Sequence, residues 1–118
     1  MEFSLTIHES QVGALGEITL VRPVGKVHSG TYLSFEQRLL EIIEGGRHKL
    51  VVDFGAVPFC SSAGIRALMK ARKAAQARSG DLRIANLQED VRQVFESAGL
   101  PQILALHDTV QDAIVSFP

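Results

Sequence analysis

Apolar and polar positions follow two different periods along this chain, and each change of period marks a new element. Residues 3–7 alternate apolar and polar side chains, beginning with Phe3, which predicts a half-buried strand. Residues 18–21 form a second apolar run that ends before Pro23, and the glycines of 13–16 are typical of a turn between the two runs. We therefore expect a hairpin at the N-terminal end of the chain.

Helices and strands alternate through the rest of the chain. Apolar residues at helical spacing run up to the glycine pair at 45–46, and a continuous apolar strand, of the kind buried on both faces, follows at 50–54. The later elements are predicted in the order helix to Gly80, strand 82–85, helix 91–98, strand 102–106, and a last helix capped by Asp108 or Thr109. This alternation predicts one α/β domain over 1–118, with a mixed sheet of four or five strands on which the helices that begin near Ser62 and Asp90 pack.

The segment that follows the 50–54 strand holds two adjacent serines, Ser61 and Ser62, at the start of the next predicted helix. The first amide groups of a helix lack partners, and the helix dipole favours negative charge there. A serine hydroxyl at this place can cap the helix, and a phosphoserine can hold its phosphate against free amide groups. We expect Ser61 to be the cap, which leaves Ser62 pointing outward.

Composition excludes some classes of function without selecting one. The chain has 118 residues, of which 46% are hydrophobic and 21% are charged, and its formal net charge is −1. These values are typical of a globular domain without a basic footprint for nucleic acid. A single cysteine excludes an internal disulfide, no apolar run approaches the roughly 20 residues that span a bilayer, and the N-terminus lacks a signal-peptide pattern. We therefore expect a cytoplasmic protein, a monomer or weak dimer, with no nucleic acid partner and no membrane insertion.

Two separated segments of the chain carry a family resemblance. The first runs through Val51-Val52-Asp53-Phe54 to Phe59-Cys60-Ser61-Ser62-Ala63-Gly64-Ile65, and the second is Val91-Arg92-Gln93-Val94-Phe95-Glu96-Ser97-Ala98-Gly99-Leu100. They are similar to the hydrophobic strand with Phe-x-Asp-Ser-Ser-Gly-Leu, and to the later Val-x-x-x-Phe-x-x-x-Gly-Leu, of the STAS domain. The chain resembles in particular the small stand-alone anti-sigma-factor antagonists of bacteria. The resemblance covers nearly the whole chain.

The same alignment shows where the chain departs from the family. Aligning Gly64-Ile65 with the family's Gly-Leu places Ser62 at the serine that the family phosphorylates. Ser61 then stands at the usual aspartate, and Ala63 stands at the usual second serine or threonine. After the second strand, Gly25-Lys26-Val27-His28 replaces the family's usual Gly-Glu-Leu-Asp. Ser61 in place of the aspartate removes a charge beside the phosphorylation site. The changed segment after the second strand alters the partner surface.

The resemblance implies a partner-switching regulator that is not an enzyme. Such a protein binds a serine-kinase anti-sigma factor when unphosphorylated and so releases a sigma factor. The kinase uses ATP and magnesium to phosphorylate the serine, the complex then separates, and a serine phosphatase resets the switch. We expect the partner to bind around the helix start, on Val27, His28, Pro58, Phe59, Ser61, Ala63 and Arg66. The alternative is a STAS module that serves as a scaffold or accessory subunit in a signalling or lipid-transport complex, without phosphorylation of Ser62.

Other candidate groups have simpler interpretations. Asp53 ends a strand, where an acid usually organises the following loop by hydrogen bonds. Cys60 would need an oriented base to act as a nucleophile, and His28 is the only histidine that the strand layout could bring near, so a small buried residue is the simpler interpretation. A solvated face is expected for the basic set Arg66, Lys70, Arg72, Lys73 and Arg78, and the alternative is a patch that meets an acidic partner. No cluster has metal-ligand spacing, so we expect no catalytic residue, cofactor or metal.

Overall fold

The five strands of the sheet lie side by side in chain order. The computed structural model describes residues 5–118, and its strands are β1 (Thr6–Val12), β2 (Ile18–Val24), β3 (Lys49–Asp53), β4 (Asp81–Ala85) and β5 (Ala105–His107). β1 pairs antiparallel with β2 through the predicted hairpin, and every later pair of neighbours is parallel. The predicted α/β fold with a mixed sheet is therefore confirmed, whereas the part of the predicted first strand at Phe3 lies outside the described residues.

Four helices cover the two faces of this sheet unequally. They are α1 (Tyr32–Glu44), α2 (Ser62–Gln76), α3 (Glu89–Ser97) and α4 (Val110–Val115). α1, α2 and α3 bury their apolar stripes in the larger core, and α4 packs on the opposite face through Ala113. α2 begins at Ser62 as predicted, and α3 begins one residue before the predicted Asp90.

β3 holds the two cores together because both of its faces are covered. Leu50 and Val52 belong to the larger core, and Val51 belongs to the smaller one. In the larger core the ring of Phe54 lies between two other phenylalanines, 6.3 Å from the ring of Phe35 and 6.2 Å from the ring of Phe95. Burial on both faces explains the unbroken apolar run that predicted this strand.

Three strands differ from the prediction by more than one residue. The first strand was expected over 3–7, but β1 continues to Val12. The last strand was expected over 102–106, but Leu100–Gln102 form a 3₁₀ turn and β5 begins only at Ala105. β2 was expected to stop before Pro23, but it continues to Val24. β3 pairs with β2 only as far as Val21, so the sheet needs no amide donor from Pro23 on that side.

The helices of this fold are short. The longest helix in the part of the chain that the structure describes is α2, which has 15 residues. Among residues 5–118, no helix combines the length and the apolar character that crossing a membrane requires.

Candidate functional site

Two loops at the carboxyl edge of the sheet are joined by backbone hydrogen bonds beyond the ends of β2 and β3. The Val27 amide donates to the Phe59 carbonyl at 2.9 Å, and the Ser61 amide donates to the Val27 carbonyl at 2.8 Å. Val27 and Cys60 thus form a parallel bridge outside the named strands. Nearer the strands, the Gly25 amide donates to the Ala56 carbonyl at 3.0 Å. This pairing fixes the two serines next to the loop that leaves β2.

The start of α2 has the arrangement that the sequence predicted for the two serines. The backbone of Ser61 is extended, and its Oγ accepts a hydrogen bond from the Gly64 amide at 3.2 Å, so Ser61 is the cap. The Ser61 carbonyl accepts the Ile65 amide at 3.0 Å. Ser62 is exposed, and within residues 5–118 neither its hydroxyl nor the amides of Ser62 and Ala63 have a hydrogen-bond partner. An accessible hydroxyl therefore stands beside two unused donors at the positive end of a helix.

Close packing under the helix start explains the glycine that follows the serines. A Cβ built on Gly64 would lie 2.6 Å from Cγ1 of Val27 and 2.8 Å from Sγ of Cys60. Both of those side chains are buried, so neither has free space to move into. Gly64 therefore lets α2 begin directly on the bridged loops, which sets the height of Ser62 above the sheet.

Asp53 holds the loop between β3 and α2 at its beginning. Its Oδ1 accepts the Gly55 amide at 2.9 Å and the Asn86 side-chain amide at 3.1 Å. Its Oδ2 lies 3.7 Å from Nε of Arg22. The predicted role of Asp53 as a loop organiser is confirmed. Asn86 was missed by the sequence analysis, although its left-handed φ of 65° is a conformation that asparagine tolerates better than most residues.

The loop that leaves β2 depends on Thr31, which the sequence analysis also missed. Its side chain is buried, and its hydroxyl donates to the Lys26 carbonyl at 2.7 Å and accepts the His28 amide at 3.0 Å. The Nδ1 atom of His28 accepts the Gly30 amide at 2.9 Å. A threonine directly before an apolar helical stripe is a signal for a helix start that could have singled it out.

The residues predicted to bind a partner come together at this edge, with one exception. Pro58, Phe59, Ser62 and Arg66 are exposed, and His28, Ser61 and Ala63 are partly exposed. Val27 corrects the prediction, because its side chain is fully buried and can only support the surface from below. The side chain of Leu33, in the first turn of α1, is 55% exposed at the same end of the fold and was not predicted. Leu33 does not belong to the buried stripe of α1, and this apolar residue outside the stripe is the sequence signal that could have identified it.

Cys60 does not have the surroundings of a nucleophile. Its side chain is buried, and burial raises the pKa of the thiol to about 12. The thiolate, which is the reactive form, is therefore strongly disfavoured. Cys60 packs as a small apolar residue, as predicted, and between residues 5 and 118 no group of His, Cys, Asp and Glu side chains could hold a metal ion.

The basic residues of α2 are not a uniform solvated face. Arg72 donates through Nε to Oδ1 of Asp81 at 2.8 Å and through Nη1 to the Ile103 carbonyl at 2.5 Å. Burial alone would raise the pKa of Asp81, but hydrogen bonds from Arg72, from the Leu82 amide and from Arg83 outweigh it and hold that pKa below its usual value. Arg72 is thus a structural residue, which corrects the predicted solvated face at this position.

The chain belongs to the STAS domain family, whose model matches residues 10–113. BtrV of Bordetella bronchiseptica, a candidate anti-sigma factor antagonist, is 29% identical over 93 residues, which cover 79% of this chain and 80% of BtrV. The resemblance inferred from the two motifs is therefore confirmed at the level of the family.

Solved structures of anti-sigma factor antagonists share the fold. A Mycobacterium paratuberculosis antagonist superposes with a TM-score of 0.83 at 21% identity, over 96% of this chain and 93% of that chain. SpoIIAA in its unphosphorylated form gives 0.76 at 20% identity, over 94% of this chain and 95% of that chain. The phosphorylated form of SpoIIAA, from Bacillus, gives 0.69 at 18% identity, over 96% of this chain and all of that chain (100%).

Proposed function

We propose that this protein is an anti-sigma-factor antagonist whose binding is switched at Ser62. In its unphosphorylated form it binds a serine-kinase anti-sigma factor, and phosphorylation of Ser62 by that kinase ends the binding. A serine phosphatase then restores the binding form. The observation that carries the proposal is the exposed, unbonded hydroxyl of Ser62, one residue after a cap that Ser61 already provides. Membership of the STAS family and the antagonists among its relatives support the same function.

The phosphorylated form would fit the free protein without a change of fold. A phosphate on Ser62 would stand beside the unused amides of Ser62 and Ala63, and the dipole of α2 would favour its charge. Arg66 lies four residues further along the helix, is exposed, and has no acidic partner within the described chain. Residues four apart face each other on a helix, so Arg66 is in reach of the new charge.

The same phosphate would oppose a partner bound at this edge. Phe59 is 48% exposed and Pro58 is exposed beside it, so the surface around Ser62 offers apolar contacts. A partner that covers them would also cover the phosphate, which brings about −1.5 to −2 charges. Removing such a charge from water without a matching partner costs several kcal/mol. Each loss of about 1.4 kcal/mol weakens the complex tenfold.

Three residues make the partner surface of this chain differ from that of other family members. Ser61 stands where the family usually has an aspartate, and it uses its hydroxyl on the Gly64 amide. Lys26 and His28 stand where the family usually has acids. We infer that the cognate kinase tolerates a neutral residue before the phosphorylated serine and meets a less acidic loop after β2.

Site mapping tests the proposal. The protein is incubated with its cognate kinase, ATP and Mg²⁺, and the modified peptide is sequenced by mass spectrometry. We expect phosphate on Ser62, none in the Ser62→Ala variant, and full labelling of the matched Ser61→Ala control. Labelling confined to Ser61 would show that the register is wrong. Absence of label on both serines would favour the alternative, an unphosphorylated STAS scaffold or accessory subunit.

A further inference from the structure

An open groove runs along α2 from Arg66, which it shares with the candidate site, toward the carboxyl end of the helix. It lies between α2 and the segment that joins the 3₁₀ turn to β5, and its volume is about 530 Å³. Its floor is apolar, formed by Met69, Ile103 and Leu104, and Ile103 is 52% exposed. Arg72 ties the far wall to α2 through the Ile103 carbonyl. The groove is thus part of the folded framework and does not need a ligand to form.

The rim of the groove on α2 is positively charged. Arg66, Lys70 and Lys73 line it, and of the residues that the structure describes no acidic side chain does. Steps of four and three residues place the three cations along one side of the helix, over about 10 Å. Lys70 forms an ion pair with Glu36, with Nζ 3.1 Å from Oε2, whereas Arg66 and Lys73 have no ion pair anywhere in residues 5–118. Positive charge at Arg66 and Lys73 therefore stands uncompensated beside an apolar floor that is exposed at Ile103.

We propose that this groove binds an acidic amphipathic helix of a partner protein. The apolar face of such a helix would cover Met69 and Ile103, and its carboxylates would meet the cations of the rim. The cations are spread along the groove, which suits carboxylates at helical spacing. A small anionic amphiphile would need them gathered at one end around its head group. The contact does not use the hydroxyl of Ser62 and so does not require the switch, but a phosphate on Ser62 would compete with the bound helix for Arg66.

An unbiased peptide selection tests this proposal. A display library of random peptides of about 15 residues, the length of α2, is selected on the full chain. The enriched peptides are then mapped by amide chemical shifts. We expect acidic sequences with apolar residues at helical spacing, and shifts along 66–76 and at Ile103. Enrichment of neutral or basic sequences, shifts confined to other surfaces, or no enrichment would overturn the proposal.

Charge reversal gives the second arm of the test. The affinity of the best peptide is measured by fluorescence anisotropy. It should fall by about tenfold or more in the Arg66→Glu, Lys73→Glu double variant, and raised salt should lower the affinity of the wild type. The control Arg47→Glu, to be compared with each single reversal, changes an exposed arginine beside β1 and should leave the affinity unchanged. An equal loss in the control would indicate a non-specific charge effect and refute the groove. Anionic lipid vesicles could instead displace the peptide and bind through the same two residues. This result would overturn the proposal and identify a membrane surface as the occupant of the groove.

Discussion

Replacement of Gly64 by alanine probes the contact that sets the position of Ser62. The new Cβ would lie 2.6 Å from Cγ1 of Val27 and 2.8 Å from Sγ of Cys60, well inside normal contact distance. Val27 is fully buried and Cys60 is nearly so, and the backbones of both are held in the bridge between the two loops. The start of α2 must therefore move away from the loops, or the loops must separate.

Two opposing terms decide the magnitude. Alanine is favoured over glycine inside a helix by up to about 1 kcal/mol. Overpacking of a filled core costs about 1–3 kcal/mol, and two contacts against rigid neighbours place Gly64→Ala in the upper part of that range. We expect a net loss of stability of about 1–2 kcal/mol, together with a displaced Ser62 and weaker partner binding.

Urea unfolding of Gly64→Ala, Val27→Ala and the double variant measures this effect. Val27→Ala removes Cγ1 and should make room for the new Cβ, so the double variant should be more stable than the sum of the single changes by about 1 kcal/mol. The reasoning is refuted if Gly64→Ala is as stable as the wild type, or if the two changes are simply additive. Helix propensity would then outweigh the contact.

Three further predictions follow from single contacts. Ser61→Ala removes the cap of α2 and should cost about 1 kcal/mol in urea unfolding; an unchanged midpoint would show that the hydroxyl does not act as the cap. The pKa of Asp81 is lowered in the folded protein, so its stabilising effect is complete above the usual value of 3.8 and is lost as the pH falls through the lower folded value. Asp81→Asn should therefore flatten the acid limb of the stability profile, and an unchanged limb would contradict the Arg72 contact. Phe59→Ser should leave stability within about 0.5 kcal/mol but weaken partner binding, and full binding would exclude Phe59 from the interface.

The elements that were predicted correctly are those in which the hydrophobic period and the residues that mark the ends of the element indicate the same structure. The buried strand β3 and the cap at Ser61 belong to this group, because one depends on an unbroken apolar run and the other on the register of a local motif. The segment before β5 was mispredicted because a short apolar run does not reveal its period. Leu100 and Leu104 are four apart and both buried, and the Leu104 amide donates to the Leu100 carbonyl at 2.7 Å, so the run is helical where a strand was expected.

The site was predicted only as far as it is local in sequence. Ser62 and Phe59 stand in the motif itself, whereas Asn86 reaches Asp53 from the end of the neighbouring strand and so depends on the order of the strands. The burial of Val27 was not predicted for the same reason, because it depends on contacts between segments that are distant in sequence. A residue in a loop after a strand was expected at the surface, but the start of α2 lies directly on it because Gly64 has no side chain.

The affinity of the phosphorylated and unphosphorylated forms for the anti-sigma factor tests the central claim most directly. The factor is captured from the native host, and titration calorimetry compares the protein before and after kinase treatment, with Ser62→Ala as a control that treatment should not change. We predict that phosphorylation of Ser62 weakens binding at least about 100-fold, or about 2.7 kcal/mol, because the charge is covered beside Phe59. Equal affinity of the two forms would contradict the switch at Ser62.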